Sequence, residues 1–266
     1  MSQYLFSQFR VNEFETLHRE LSKVFDIQQA ELQSIYEIMR TEFEIDGSAS
    51  KNVLPRSIFR SDNPNFQKRY DEALLVGVDL PSILEKDNGI LEKKTIVILA
   101  QDPLRKGSKR IEEIGVGTPY SLHEKRCREK GISSNYFDLI KVLLDEGYRV
   151  YLTDIYKIWV SQPDKDRCIS LSKQDENHFI QILKAELEIL APLTIITWGQ
   201  KASDAVESLN LDVRHLKFPH PSNAANGTWL KIIGKSPTQE NKIEFWRQKV
   251  SDYLASVNLN RHDSSG

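Results

Sequence analysis

Polar side chains that could hydrolyse a bond follow two short apolar runs of the sequence. Gln101 and Asp102 come directly after the run Thr95–Ala100, and His220 comes shortly after the run 213–218. A carboxylate can orient attacking water, and an imidazole can donate a hydrogen bond to a leaving group that gains negative charge. Either residue alone could equally cap a loop at the end of a strand. Together, at one edge of a sheet, they form a candidate hydrolytic pair.

The elements that would position this pair begin near residue 94, where short apolar runs alternate with segments of helical periodicity. This alternation is typical of a parallel sheet covered by helices. We therefore predict an α/β fold, a three-layer α/β/α domain with a central four-stranded parallel sheet. The predicted strands are 95–100, 149–154, 194–198 and 213–218, and the predicted helices carry Tyr136 to Leu144, Ile180 to Leu190, Gln200 to Leu209 and Ile243 to Leu254.

Ligands of open parallel sheets bind outside the carboxyl ends of the strands. Besides Gln101, Asp102 and His220, the sequence places other polar residues at these ends. They are Asp154 and Lys157 after the second predicted strand, Gly199 and Gln200 after the third, and Ser222 and Asn223 after the fourth.

Charge separates the amino-terminal region from the rest of the chain. Residues 1–50 hold four basic and nine acidic residues and show the periodicity of two amphipathic helices, whereas residues 51–70 hold five basic residues and one acidic residue. The basic stretch, with Arg56 and Arg60, is either a solvated loop or a loop that grips phosphates. We predict a helical N-terminal extension with this loop (1–90), an α/β domain (91–258) and a disordered tail (259–266).

Composition excludes several classes of function. With 36 basic and 38 acidic residues, the chain is not a uniformly basic nucleic-acid coat, so a nucleic-acid site must be a local patch. Two distant cysteines, Cys127 and Cys168, cannot build a disulfide scaffold, a cysteine zinc site or a four-cysteine iron–sulfur cluster. We expect no cofactor and no metal. Without a run of about 20 apolar residues or a signal sequence, we expect a cytoplasmic protein with no membrane partner.

The motifs at the strand ends resemble those of the uracil-DNA glycosylase superfamily. The family motif GQDPYH is matched by AQDPLR at 100–105, the G-x-x-F-S-V element by GTPYSL at 117–122, and the final HPS motif by residues 220–222. The second-strand segment is similar to VYLTDIYK at 150–157, and the P-x-x-I-I-x-x-G-x-x-A block lies within 190–202. The resemblance covers about residues 94–230. Nucleotide-binding glycine loops, HExxH and GxSxG are missing.

The resemblance implies a monofunctional, monomeric DNA glycosylase that rotates a nucleotide out of the duplex and hydrolyses its N-glycosidic bond. Asp102 would stabilise the sugar cation and orient water, His220 would donate to the base O2, and Gln101 would contact the base. Tyr120 would stack on the base, although it could also be an ordinary core tyrosine. The residues expected to contact DNA are Lys106, Ser108, Lys109, Arg110, Lys157, Gln200, Ser222, Asn223, Arg56 and Arg60.

Two departures from the family motifs concern the base pocket. Leu104 stands where the family has a tyrosine that excludes bases bearing a C5 group, and Asp154 stands where it has an asparagine that reads uracil. An ionised carboxylate only accepts hydrogen bonds, so it favours the N4 amino group of cytosine. Both departures fit a 5-substituted cytosine, such as occurs in some bacteriophage genomes, and suggest a role in defence. Uracil repair and a catalytically silent DNA-binding module are the alternatives.

A third departure follows the HPS motif. The leucine that fills the vacated base stack in the family is missing, because Asn223, Ala224, Ala225 and Asn226 occupy that region. The resemblance therefore does not indicate how a flipped nucleotide is held.

Overall fold

The computed structural model describes residues 4–45, 52–103, 111–130, 132–162 and 165–262. The strands of these residues are β1 (Tyr4–Phe6), β2 (Val53–Pro55), β3 (Val76–Asp79), β4 (Ser82–Lys86), β5 (Thr95–Ala100), β6 (Glu113–Gly117), β7 (Arg149–Asp154), β8 (Ile158–Gln162), β9 (Lys165–Cys168), β10 (Thr194–Trp198) and β11 (Arg214–Phe218). The helices are α1 (Val11–Leu21), α2 (Gln29–Glu44), α3 (Pro64–Glu72), α4 (Lys125–Glu129), α5 (Ile132–Asp145), α6 (Lys173–Leu190), α7 (Gln200–Ser208), α8 (Asn226–Ile233) and α9 (Gln239–His262).

The main sheet has six strands in the order β1-β4-β7-β5-β10-β11. The strands predicted from the sequence are β7, β5, β10 and β11, and each pairs in parallel with its neighbour among them. β4 joins β7 in antiparallel orientation, and β1 joins β4 in the same way. The prediction of a four-stranded parallel sheet is therefore wrong in extent, because the sheet is six-stranded and mixed. Neither added strand carries a long apolar run that would have indicated it.

The central strands are buried on both faces, as their continuous apolar sequences require. In β5, Ile96, Val97, Ile98 and Leu99 are each at most 1 % exposed. Ile96 and Ile98 pack in one apolar cluster with residues of α5 and α9, whereas Val97 and Leu99 pack in a second cluster with residues of α6 and α7. Alternate side chains of a strand point to opposite faces, so helices cover the sheet on both sides.

Residues before 91, predicted as a helical extension, also contribute strands. β1 and β4 belong to the main sheet, and β2 and β3 belong to a second sheet of order β2-β6-β3-β8-β9. The buried Glu13 carboxylate on α1 accepts hydrogen bonds of 2.7 and 2.6 Å from the Arg149 guanidinium of β7. The amino-terminal segment is thus part of the same sheet system and not a helical appendage.

The C-terminal helix is longer than the sequence predicts. α9 continues to His262, through residues 259–262 of the predicted disordered tail, and residues 263–266 of that tail lie outside the described residues. Among the helices that the structure describes, none combines the length and apolar character needed to cross a membrane.

Candidate active site

The carboxyl ends of the parallel strands bring the predicted site residues to one edge, which we call the carboxyl edge. Ala100 and Asp154 are register partners at the ends of β5 and β7, as are Trp198 and Phe218 at the ends of β10 and β11. Two residues beyond these ends stand Asp102 and His220. The loops after β5 and β7 are tied together, because the Tyr156 amide donates to the Gln101 carbonyl at 3.0 Å.

His220 is partly buried and is held in one neutral tautomer by Ser222. The Ser222 backbone amide donates to His220 Nδ1 at 3.2 Å, and Ser222 Oγ lies 2.9 Å from the same nitrogen. Because an amide can only donate, Nδ1 must accept, and the ring proton belongs on Nε2. Burial, reinforced by the Lys242 ammonium, lowers the pKa of His220 to about 4. At neutral pH the imidazole is therefore an uncharged Nε2–H donor.

Residues outside the HPS motif hold the loop that carries His220 in place. Trp229 Nε1 donates to the His220 carbonyl at 2.9 Å, and Lys242 Nζ donates to the Pro221 carbonyl at 3.0 Å and to Asn226 Oδ1 at 2.7 Å. Lys242 and Trp229 are 2 % and 0 % exposed. These contacts join α8 and α9 to the loop, so His220 is a rigidly presented donor.

Gly199 shapes the neighbouring loop. It has φ +98°, a backbone conformation that residues other than glycine rarely adopt, and it is the N-cap of α7. Its amide donates to the Phe218 carbonyl at 2.8 Å, which links the ends of β10 and β11 beside His220.

Tyr120 lies close to His220 and within range of the charges of three carboxylates. Its ring centroid is 3.9 Å from that of Tyr136 in a stacked arrangement, 5.5 Å from Trp198 and 6.2 Å from His220. Tyr136 therefore covers one face of the Tyr120 ring.

The backbone at this position is strained, since Tyr120 and Ser121 both have positive φ, 61° and 54°. Such conformations in residues other than glycine cluster at functional sites. The buried Tyr120 hydroxyl has no hydrogen-bond partner among the described residues. An unpaired buried hydroxyl costs about 1–3 kcal/mol, which a bound ligand or water could offset.

Three carboxylates approach Tyr120. Burial raises the pKa of Tyr120 well above its usual value, and the neighbouring charges of Asp154, Asp79 and Asp102 raise it further. Asp154 and Asp79 are each 2 % exposed. Asp79 ends β3 and its amide donates to the Lys157 carbonyl at 3.0 Å. It is a site residue that the sequence analysis missed, although the apolar stretch 73–78 directly before Asp79 could have indicated a strand there.

Asp102 is partly buried, and burial raises its pKa above the value of a free aspartate. Gln101 Nε2 donates to Asp102 Oδ2 at 2.6 Å, and this hydrogen bond and the Lys201 charge favour the ionised form, whereas Asp79 opposes it. Gln101 therefore serves to orient Asp102. An ionised carboxylate so placed can attract water and stabilise positive charge on a substrate.

Two of the predicted DNA contacts, Lys157 and Arg56, have donors engaged by the protein, and Lys157 is too buried to reach a phosphate. Lys157 is 0 % exposed, and its ammonium donates to Thr153 Oγ1, to the Asp154 carbonyl and to Glu186 Oε2 at 2.5, 2.6 and 2.9 Å. The Arg56 guanidinium donates to the carbonyls of Tyr70, Leu74 and Ile111. Lys157 therefore does not present its charge to a phosphate, whereas Arg56 is partly exposed and its role in DNA binding stays a prediction.

The other predicted contacts differ in their surroundings. Arg60, Gln200 and Asn223 are exposed, and Gln200 Nε2 donates to Asp204 Oδ1 at 2.7 Å. The amide and the hydroxyl of Ser222 contact His220 Nδ1, as described above. The remaining predicted residues lie outside the described part of the chain: Leu104, Lys106, Ser108, Lys109 and Arg110.

Comparison with known proteins gives no family assignment: no protein-family model and no curated protein matches the sequence. Within the described ranges, no group of three or more histidine, cysteine, aspartate or glutamate side chains is arranged to hold a metal ion. What the site can do must therefore be inferred from its own residues.

Proposed function

We propose that the protein is a monofunctional DNA glycosylase of the uracil-DNA glycosylase type. The observation that carries the proposal is a neutral His220, with its proton on Nε2, on the same edge as the buried carboxylates Asp102 and Asp154 and close to the ring of Tyr120. The block of adjacent parallel strands, covered by helices on both faces, is consistent with the three-layer α/β/α domain of that superfamily.

The proposed reaction breaks the bond between the sugar C1′ and the base N1, and the bonding electrons leave with the base. His220 Nε2–H donates to the base O2, where negative charge develops, and Asp102 stabilises the positive charge on the sugar. Water then attacks C1′ and gives its proton to Asp102. The products are an abasic site and the base anion, which takes up a proton from solvent while Asp102 releases its proton to solvent. A neutral imidazole suits this role because it donates without first needing a proton.

The proposed substrate is a cytosine that carries a group at C5. Asp154 is deeply buried at the end of β7, where an ionised carboxylate would repel the uracil O4 and accept from the cytosine N4 amino group. The nearby Asp79 adds a second negative charge to the pocket. Defence against bacteriophages with modified DNA is the biological role we propose for this specificity.

The surface around the carboxyl edge offers groups that suit DNA. Lys201 is exposed and close enough to Asp102 to affect its pKa, and Arg60 is exposed. Beyond the loop that contains the HPS motif (220–222), which we call the HPS loop, α8 exposes half of the Leu230 side chain next to the exposed Lys231. We propose that Leu230 supplies the apolar contact to unstacked bases that the altered loop at 223–226 does not.

The test is release of the base from oligonucleotides that carry uracil, thymine, cytosine or a 5-substituted cytosine, read as cleavage at the abasic site after alkali treatment. The parent should act on a 5-substituted cytosine, and His220→Ala should be slower by about 10²- to 10³-fold, the usual effect of losing one donor to a developing oxyanion. His178→Ala, which alters an exposed histidine on α6, is the matched control and should retain parental activity.

Preferential release of uracil would instead support uracil repair. Binding of these oligonucleotides without release of any base would favour the silent DNA-binding module. Release that is unaffected by His220→Ala would contradict the proposed mechanism.

A further inference from the structure

A cleft of about 630 Å³ lies at the edge of the main sheet opposite the carboxyl edge. It is lined by residues at or just before the starts of β5, β10 and β11, whose amino ends meet because these strands are parallel. Strands of five or six residues rise about 3.3 Å per residue, so the two edges are about 17–20 Å apart. This amino-edge cleft is therefore separate from the candidate active site.

The walls of the amino-edge cleft combine apolar and basic side chains. Leu190, Pro192, Leu193 and Val213, from the turn after α6 and the start of β11, supply apolar surface. The charged lining residues are Arg10, Lys93, Lys94 and Arg214 against Asp212, four positive charges against one negative. The protein as a whole has a net charge of -2, so this lining is a local departure from the average.

Three of the four cations remain available to a ligand. Lys93 is not among them, because its ammonium binds Glu85 Oε2 at 3.2 Å and the Lys86 carbonyl at 2.6 Å. Lys94 and Arg214 are exposed, and neither forms an ion pair with another residue that the structure describes.

Arg10 is also available. Its side chain is 60 % exposed and lies 4.0 Å from Glu13 Oε1. Glu13 is already bound through both oxygens by Arg149, so two guanidinium groups share one carboxylate. Arg149 also lies 3.3 Å from Glu85, a carboxylate that Lys93 shares, so this cluster holds three cations against two carboxylates and keeps one excess positive charge.

We propose that the amino-edge cleft is a second binding site, for a nucleotide whose phosphates meet Arg10, Lys94 and Arg214. Ligand pockets typically measure about 300–1,000 Å³, and this cleft falls in that range, although its lining is more polar than apolar, which suits a charged ligand. Guanidinium and ammonium groups are the usual partners of phosphate oxygens. The apolar wall would take the base and ribose. The nucleotide is either free or part of a nucleic-acid strand.

Binding of ATP, inorganic triphosphate and a single-stranded hexanucleotide to the full chain tests this proposal. Titration calorimetry should detect ATP with a dissociation constant of about 1 mM or lower. Lys94→Glu/Arg214→Glu should weaken binding of ATP or the hexanucleotide by at least about tenfold, with unchanged thermal stability and base release. The control Lys141→Glu/Lys184→Glu makes the same charge change on α5 and α6 and should bind as the parent does.

Comparing the three probes distinguishes a free nucleotide from a nucleic-acid strand. The same comparison shows whether the whole site or only the role of its apolar wall is wrong. Stronger binding of ATP than of the hexanucleotide identifies a free nucleotide, and the reverse identifies a strand. Equal binding of ATP and triphosphate would overturn the role of the apolar wall. No binding by any probe, or binding that both double variants weaken equally, would overturn the site. Because binding is measured without base release, failure here leaves the proposed glycosylase unaffected, and the reverse holds as well.

Discussion

Burial acts on the two central residues of the candidate site in opposite directions. It lowers the pKa of His220 and raises the pKa of Asp102, since it disfavours the charged form of each. The proposed reaction needs a neutral histidine and an ionised aspartate. Burial and the Lys242 charge provide the first, whereas the second depends on Gln101 and Lys201, which offset part of the desolvation of Asp102.

The pH dependence of base release should therefore be controlled by Asp102. Its folded-state pKa is raised, so activity should fall as pH drops through that raised pKa, while His220 stays neutral down to about pH 4. Lys201→Met should move this acid limb to higher pH, because it removes a positive charge that favours the carboxylate.

Asp102→Asn should lower the rate by at least about a hundredfold.

Single-turnover rates measured across the acid range, with DNA at saturating concentration, check this prediction. Asp252→Asn, an exposed aspartate on α9, is the control. An acid limb that stays in place in Lys201→Met would show that a different group controls the rate.

Asp154 governs the choice of base in the proposed pocket. Asp154→Asn restores a group that both donates and accepts, so it should raise activity on uracil and lower it on cytosine-type bases. Sites that reject the wrong hydrogen-bond pattern discriminate by about 10⁴- to 10⁵-fold, whereas steric pockets give roughly 10–200-fold. The asparagine variant should thus change selectivity more than Leu104→Tyr, which should remove activity only on bulky 5-substituted bases.

The measurement is kcat/KM for oligonucleotides that differ only in the target base. If the parent releases plain uracil efficiently and Asp154→Asn leaves that rate unchanged, the base specificity assigned to Asp154 is wrong.

At the scale of the element, α9 contributes to the site although it lies outside the motifs. Lys242 on this helix is buried beneath the HPS loop and binds the Pro221 carbonyl, and its charge contributes to the lowered pKa of His220. A lysine on an amphipathic helix is ordinarily solvated, so no feature of the sequence singles out Lys242. Its position became apparent only from the packing of α9 against the loop.

Replacing Lys242 by methionine should raise the pKa of His220 from about 4, though not to that of a free histidine, since burial remains. Lys242→Arg keeps the charge and should keep the pKa low. NMR titration of the imidazole carbons measures this directly, and Lys249→Met, an exposed lysine on the same helix, is the control. An unchanged His220 pKa in Lys242→Met would assign the lowering to burial alone.

The buried pair of Lys157 and Glu186 links the end of β7 to α6. Lys157→Met should destabilise the protein by about 3–5 kcal/mol, because it leaves the Glu186 carboxylate buried without its cation. Lys157→Met/Glu186→Leu removes both charges and should recover much of that loss. Urea unfolding measures both variants. A change within about 0.5 kcal/mol for Lys157→Met would instead fit a surface lysine, as the sequence analysis assumed.

The elements that the sequence predicted are those with a long apolar signal. The runs at β5, β7 and β10 have the predicted bounds, and β11 begins one residue later than predicted. β1, β3 and β4 pair with strands that are distant in the sequence, so a local apolar stretch such as 73–78 does not show which sheet it joins. The same reason explains the error at Lys157, whose partner Glu186 is 29 residues away.

At the scale of the whole molecule, charge is distributed unevenly on a chain whose net charge is -2. A protein of this kind is not drawn to DNA by its overall field, so affinity must come from a few local cations. Of the candidates that the structure describes, Arg60 and Lys201 are exposed, whereas Lys157 and Arg56 have their donors engaged by the protein. Salt dependence distinguishes these two groups, since only cations that contact phosphates release counterions.

Binding of duplex DNA should weaken steeply as salt rises, with a slope in log affinity against log salt of about -0.9 for each phosphate neutralised. Lys201→Met and Arg60→Met should each make this slope shallower by about 1, because each removes one phosphate contact. Lys184→Met, on the outer side of α6, should leave the slope unchanged, and so should Lys157→Met/Glu186→Leu if that double variant folds. Fluorescence anisotropy with a labelled duplex at several salt concentrations gives the slopes.

Affinity that does not depend on salt in the parent would contradict phosphate contacts and the proposed DNA substrate with them. An equal effect of Lys184→Met would mean that net charge, and not a patch at the carboxyl edge, attracts the DNA.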